Sequence, residues 1–219
     1  FLVPPTTFPT LESLDRGCRT VVVFSPEPLA GYWEESRFMP PKEKRADLSR
    51  GEQAYRLAGN VIAYATGMEP PKQRLTVKRI AAGGDRSPPN GFIKPAQLLV
   101  PGDAPPAPAA LRSLMAHLQS AARLDVVIDE PKGYQLSANH EELFKYKFLY
   151  LHGRKRFEFD DDERKNLKAN LQAGGLLLAD ACCGSAEFDA AFRAEVKRMF
   201  GKDLEPIPTT DELFSAKLN

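Results

Sequence analysis

Residues 147–201 read KFLYLHGRKRFEFDDDERKNLKANLQAGGLLLADACCGSAEFDAAFRAEVKRMFG. Two apolar runs, 147–151 and 176–179, are each followed by a turn and then by a stretch with helical spacing. Asp160, with Glu163 three residues on, has the spacing of a capping box, in which each side chain takes the other's backbone N–H. Leu167 and Leu171 give that helix an inward face, and Gly174 ends it. The run 176–179 (LLLA) is apolar at every position, as a strand buried on both faces of a parallel sheet must be. Phe188, Phe192, Val196 and Phe200 stripe a second helix that stops at Gly201.

The same alternation extends outward. Residues 20–24 (TVVVF) are a β-branched run with the character of a buried strand. Residues 51–66 place Ala54, Leu57, Ala58, Val61, Ile62 and Ala65 on one helical face, with Gly67 suited to the cap beyond. Residues 75–80, 97–100 and 125–128 read as strands. Residues 108–123 read as a helix striped by Leu111, Leu114, Met115 and Leu118, with Pro108 in its first turn. Asn139 is placed to cap a short helix at 140–146, and 204–208 suit a short edge strand. Strands alternating with helices predict an α/β fold with a mainly parallel sheet covered on both faces, a flavodoxin-like three-layer sandwich. The turn-rich stretch 83–94 sets a boundary. Residues 1–82 form a strand-loop-helix segment, either the end of a preceding module or part of the same sheet. Residues 83–219 form the main domain.

The chain has 219 residues, 42% of them hydrophobic, enough for a sizeable core. It begins at Phe1 without an initiator methionine, which reads as a piece of something longer. A formal charge of +1 gives no general attraction to nucleic acid or an anionic membrane. No apolar run approaches the roughly 18–20 residues that span a bilayer. Cys18, Cys182 and Cys183 are too few and too unevenly placed for a disulfide framework. Without a CxxC pair, and with His117, His140 and His152 scattered, no zinc site is expected. No glycine pattern matches a nucleotide fingerprint, so no cofactor is expected either.

In a doubly wound sheet, ligands bind beyond the carboxyl ends of the strands. That rule selects four loops: Trp33, Glu34 and Glu35 after the first strand; Asp129 and Glu130; His152 to Arg154; and Asp180 to Ser185. Cys183 is the candidate nucleophile. It follows a buried strand and precedes a helix, with Ala181, Gly184 and Ser185 as the small neighbours that a strained elbow needs. A helix N-terminus beside a thiol favours thiolate and offers donors to an oxyanion. His152 is the candidate base. The competing reading makes Cys182 and Cys183 small packing residues. Asp180 suits a metal or an imidazole partner, or else hydrogen bonds to loop amides. Arg154, with Lys155 and Arg156, is a candidate anion clamp, or a solvated turn neutralised by Asp160 to Asp162. Trp33 and Glu34 are candidate contacts for a partner or a sugar, or anchors of their loop.

FLYLHGRKRFEF, DDDERKNLKANLQAGGLLLADACCGS, the Phe188 helix and LEPIPTTDELF together resemble the bacterial family known as domain of unknown function 4159. The resemblance covers about residues 95–219, and the segment containing RTVVVFSPEPLAGYWEE and RLAGNVIAYATG resembles the closing half of such a domain. It implies a class I glutamine-amidotransferase-like frame and no assigned activity. It also implies a lean towards the bacterial cell envelope or periplasm. The amidotransferase pattern has glycines around its cysteine and a histidine with an acidic partner downstream. Here Ala181 and Ser185 flank the site, and no histidine follows Cys183. The expectation is therefore a non-catalytic α/β binding or assembly module of a larger bacterial protein, whose partners are other domains of that protein or envelope proteins. The alternative is a Cys-dependent hydrolase or amidotransferase-like enzyme using Cys183 with His152.

Overall fold

The expected alternation is present in the computed structural model, which describes residues 11–17, 19–34, 50–66, 93–121, 126–128 and 134–215. In chain order the elements are β1 (Glu12–Arg16), β2 (Arg19–Ser25), α1 (Ala30–Glu34), α2 (Arg50–Thr66), β3 (Pro95–Leu98), α3 (Ala110–Ala121), β4 (Gln135–Leu136), β5 (Phe148–Gly153), α4 (Asp161–Gln172), β6 (Leu176–Ala181), α5 (Ala186–Phe200), β7 (Glu205–Pro206) and α6 (Glu212–Ser215). A 3-10 turn, Glu141–Lys145, precedes β5, and another, Cys182–Gly184, follows β6.

The strands form one sheet in the order β4-β3-β5-β6-β2-β1-β7. The first five run parallel, β1 runs antiparallel to β2, and β7 runs antiparallel to β1. The LLLA strand, β6, is the middle strand, which explains its wholly apolar start. The protein is thus mixed α/β with a mostly parallel sheet, as the sequence pattern predicts. The N-terminal strands join it directly, because β2 pairs with β6 from Val22↔Leu177 to Ser25↔Asp180. The expected boundary between residues 82 and 83 lies outside the described residues, as do the 75–80 strand, the Gly67 cap, Cys18, Glu35 and the Asp129–Glu130 loop.

Successive residues of a strand point to opposite faces, and two apolar clusters follow from this. Phe148, Tyr150, Leu176 and Leu178 join Trp33 and the apolar stripes of α2 and α3 in one cluster. Leu149, Leu151, Leu177 and Ala179 join Leu167, Leu171, Phe188, Phe192 and Val196 of α4 and α5 in the other. The capping box at the start of α4 is complete: Glu163 N–H donates to Asp160 at 2.7 Å, and Asp160 N–H donates to Glu163 at 3.0 Å. α5 ends at Gly201 in the left-handed conformation, φ 70°.

Three local expectations change, and one strand is added. Trp33 sits in a short helix rather than an irregular loop. In the described part of the 125–128 stretch, pairing is reduced to one bridge between Val126 and Ile93, and the strand beside β3 is β4. His140, not Asn139, caps the Glu141–Lys145 turn, its Nδ1 accepting from Glu142 N–H at 3.2 Å. The Asn139 side chain instead donates to Asp160. β1 carries no clear alternation of its own and was not anticipated. Its antiparallel pairing with β2 supplies what its sequence does not.

Candidate functional site

Parallel strands bring their carboxyl ends to one edge of the sheet. Register there places His152 of β5, Asp180 of β6 and Ser25 of β2 side by side. All three are buried. By alternation from Tyr150 and Leu178, His152 and Asp180 point to the face covered by α1, α2 and α3. The chain steps from β3 outward to β4 and returns to β5 on the other side of β3. The loops after β3 and β5 therefore flank the crevice where such sheets bind ligands.

Contacts between those two loops cross this crevice. Ala107 N–H donates to His152 Nε2 at 3.2 Å. The Asp103 carboxylate accepts from the N–H groups of Arg154 and Lys155, each at 3.4 Å, and pairs with Lys155 Nζ at 3.4 Å. His152 stacks on Tyr150 with ring centroids 5.1 Å apart. Since Nε2 accepts, the ring's proton belongs on Nδ1, which has no partner among the described residues. Burial is the main force on this imidazole and lowers its pKa to about 4. The Asp103 charge opposes the shift and Arg154 adds to it. At neutral pH His152 is an uncharged ring fixed by a backbone amide.

Asp180 is fully buried. Its Oδ2 accepts from the N–H groups of Leu29, at 2.9 Å, and Ala30, and from Tyr150 OH at 3.2 Å. Burial drives its pKa up to about 7, against the lowering effect of the Ala30, Leu29 and Tyr150 hydrogen bonds. Asp180 therefore ties the β2–α1 connection to the central strand. Trp33 is also fully buried, 5.3 Å from the Tyr150 ring centroid, and its carbonyl accepts from Tyr55 OH. Glu34 accepts from Ala109 N–H at 2.7 Å and so joins α1 to the start of α3. Both residues hold the loop on the core, and a tryptophan buried to this degree offers no surface to a sugar.

The turn after β6 has a different character. Cys182 is buried, and burial is the chief reason its thiol is pushed up to about 12. Cys183 is exposed and has φ 61°, the single non-glycine with positive φ among the described residues. That conformation costs on the order of 1–2 kcal/mol. A strained residue between a buried strand and a helix is the backbone arrangement of a nucleophile elbow. Arg154, also exposed, donates to Cys183 Sγ at 3.0 Å. Ser185 caps α5, accepting from Phe188 N–H at 3.3 Å and donating to the Arg154 carbonyl.

The sequence-chosen residues thus fall into two groups. Trp33, His152 and Asp180, with half-buried Glu34 beside them, form a largely buried polar set around Tyr150. Arg154, Cys183 and Ser185, with Cys182 beneath, form the exposed turn. No hydrogen bond joins His152 to Cys183. Tyr150 was missed, although it lies two residues before His152 and must share its face. Gln97 was missed as well; it pairs in register with Tyr150 from β3. Asp103 and the amides of Leu29, Ala30 and Ala107 carry no sequence signal. Among the described residues, no three His, Cys, Asp or Glu side chains are grouped to hold a metal, and no helix is long and apolar enough to cross a membrane.

Among curated proteins, none matches this chain. Residues 97–219 match the family described as Domain of unknown function (DUF4159). The match runs from the second half of β3 to the end of the chain and includes His152, Arg154, Asp180, Cys182, Cys183 and Ser185. It spans more than half of the chain, and the protein belongs to that family.

Proposed function

We propose that this chain is a non-catalytic α/β binding or assembly module of a larger bacterial protein, built on a flavodoxin-like, glutamine-amidotransferase-like three-layer frame. One observation carries the reading: the groups that would run covalent chemistry are committed to holding the fold. His152 Nε2, the atom a general base needs free, accepts the Ala107 amide. Asp180, the natural acid to orient a histidine, accepts two loop amides and a tyrosine. A general base must lie within hydrogen-bond reach of the proton it removes, and His152 makes no such contact with Cys183. In this reading N-terminal residues 19–34 belong to the same unit, since Asp180 and β6 hold them. The surface offered to a partner is the exposed turn of Arg154, Cys183 and Ser185, with Trp33, Glu34, Asp180 and Cys182 supporting it from below.

A second reading, a Cys183-dependent hydrolase with His152 as base, is favoured by one feature, the strained and exposed Cys183. One experiment separates the two. Wild type, Cys183→Ala and His152→Ala are assayed for turnover of glutamine, a γ-glutamyl anilide and an activated ester. The module reading expects no turnover that depends on Cys183. Turnover abolished in both variants, with both still folded, would overturn it and establish the second reading.

A further inference from the structure

The exposed turn contains a feature that neither reading uses. Cys182 Sγ and Cys183 Sγ face each other at 3.8 Å. Adjacent cysteines seldom bring both sulfurs to the same side. Here the left-handed Cys183, followed by Gly184 at φ 67°, turns its side chain back over Cys182. Arg154 holds the outer sulfur from the solvent side. A Cβ placed on Gly184 would meet nothing within 4 Å, so the turn is open to an approaching molecule.

The separation discriminates among the chemistries open to two thiols. A disulfide needs its sulfurs at about 2.05 Å and Cα atoms about 4.4–6.8 Å apart. Neighbouring residues joined by a trans peptide have Cα atoms about 3.8 Å apart. A direct S–S bond here requires both a large closure and a distorted backbone. A bridging thiophilic centre does not. Two bonds of about 2.3 Å, the length zinc makes to thiolate, hold their sulfurs about 3.3–3.8 Å apart for angles from a right angle to tetrahedral. The observed gap lies at the upper end of that span. A zinc-like ion also requires four ligands, and among the described residues no third metal-binding side chain joins the pair. A centre that needs two protein sulfurs and carries its own third substituent fits what is present.

We propose that Cys182 and Cys183 form a two-thiol chelate for a trivalent arsenical, a metalloid centre bearing one organic group. Capture proceeds in two steps. The exposed Cys183 sulfur bonds to arsenic, and its proton passes to the arsenic-bound oxygen, converting As=O to As–OH. The Cys182 sulfur then displaces that hydroxyl, which leaves as water with the Cys182 proton. Two S–H bonds break, two As–S bonds form, one water is released, and neither sulfur nor arsenic changes oxidation state. The second step is intramolecular, with an effective concentration in the millimolar range or above. A buried thiol that is unreactive alone is thereby recruited by its neighbour. The site stands whether or not the turn also docks a partner.

The test uses the full reduced chain with phenylarsine oxide as probe. Free thiols are counted with a chromogenic disulfide before and after one equivalent of the probe. Two of the three cysteines are expected to become protected, and a small dithiol, but not a monothiol, is expected to release them. Cys183→Ser changes an exposed residue and should keep the fold while weakening capture by roughly 100-fold or more. Cys18→Ser should capture as wild type does. Undiminished capture by Cys183→Ser, or protection that requires Cys18, overturns the assignment. Cadmium ion provides a second arm. Binding as tight as that of the arsenical would mean that further ligands complete a metal site, and the two-thiol chelate would be wrong.

Discussion

The two faces of the sheet are built on different principles. The face under α4 and α5 is an aromatic stack. Phe24 meets Phe192 at 4.9 Å, and Phe188 meets Phe157 at 5.2 Å and Phe192 at 6.1 Å. Most of its polar side chains have assigned work: Asn170 donates to the carbonyls of Leu143 and Tyr146, although its Oδ1 lacks a partner among the described residues, and Glu195 takes Arg164 and Arg198. The face under α1, α2 and α3 has a polar seam through its apolar cluster. Trp33 Nε1, Gln97 Oε1, His152 Nδ1 and Asp180 Oδ1 are all buried without a partner among the described residues, and their side chains surround Tyr150. An unpaired buried polar atom costs free energy that an apolar side chain would not. The aromatic face therefore stabilises the fold more, while the other gives up stability to place more unpaired polar groups beneath the carboxyl edge of the sheet.

The aromatic face should give the largest response. Phe188 is fully buried, and its ring lies so close to Gly153 that a Cβ there would sit 2.7 Å from it. Phe188→Ala is expected to cost about 3–5 kcal/mol, the lost burial of the ring plus the cavity it leaves. Urea denaturation followed by circular dichroism measures it. A loss below about 1 kcal/mol would show that this side is not the stabilising one. On the polar face, Asp180→Ala strands the Leu29 and Ala30 amides and the Tyr150 hydroxyl, at about 1–3 kcal/mol. The loss should be larger at pH 5 than at pH 8. A loss independent of pH would mean that Asp180 is not the titrating group.

That pH dependence follows from two opposed ionisations. Asp180 rises from its usual 3.8 to about 7 on folding. Its contribution is fully present below pH 3.8 and is lost as pH rises through about 7. His152 falls from 6.5 to about 4. Its contribution is present above pH 6.5 and is lost as pH falls through about 4. Between pH 4 and 6.5 the two slopes, each about 1.4 kcal/mol per pH unit, have opposite signs and cancel. Single variants remove the cancellation. Relative to wild type, His152→Phe should lose stability as pH rises from 4 to 6.5, and Asp180→Asn should gain it from 4 to 7. Chemical denaturation at half-unit pH steps reads both, and three parallel profiles would refute the scheme.

The sequence made the stabilising face far easier to read than the polar one. Leu167, Leu171, Phe188, Phe192 and Val196 announce their helices by spacing, and Asp160 with Glu163 announces a start, because these signals are local. The central position of β6 was readable from its unbroken LLLA run. The polar seam depends on register between strands distant in sequence. Asp180 meets Leu29 and Ala30 across about 150 residues, and nothing near Leu29 marks its amide as a donor to β6. Asp103 and Ala107, which close the crevice over His152, lie in a proline-rich loop with no periodicity. Cys183 stands out in the sequence because small residues around a strand end are a local signal. Its partner Arg154 lies 29 residues earlier, and only the pairing of β5 with β6 brings the two together.

Tyr150→Phe makes the smallest and most specific change to the seam. It removes one hydroxyl, keeps the ring between Trp33 and His152, and leaves the aromatic face untouched. At pH 5, where Asp180 is protonated in the folded state, the lost hydrogen bond should cost about 0.5–1.5 kcal/mol. The cost should grow above pH 7, because the Tyr150 bond is among those that lower the Asp180 pKa and its removal penalises the carboxylate. Burial and the adjacent Asp180 raise the Tyr150 pKa, so the hydroxyl remains a donor throughout that range. Denaturation of wild type and Tyr150→Phe at pH 5 and pH 8 distinguishes a hydroxyl coupled to a charge from one that merely fills space. Equal losses at the two pH values would mean that the seam is packing. A growing loss would mean that Tyr150 and Asp180 titrate as a unit at the edge where such sheets place their ligands.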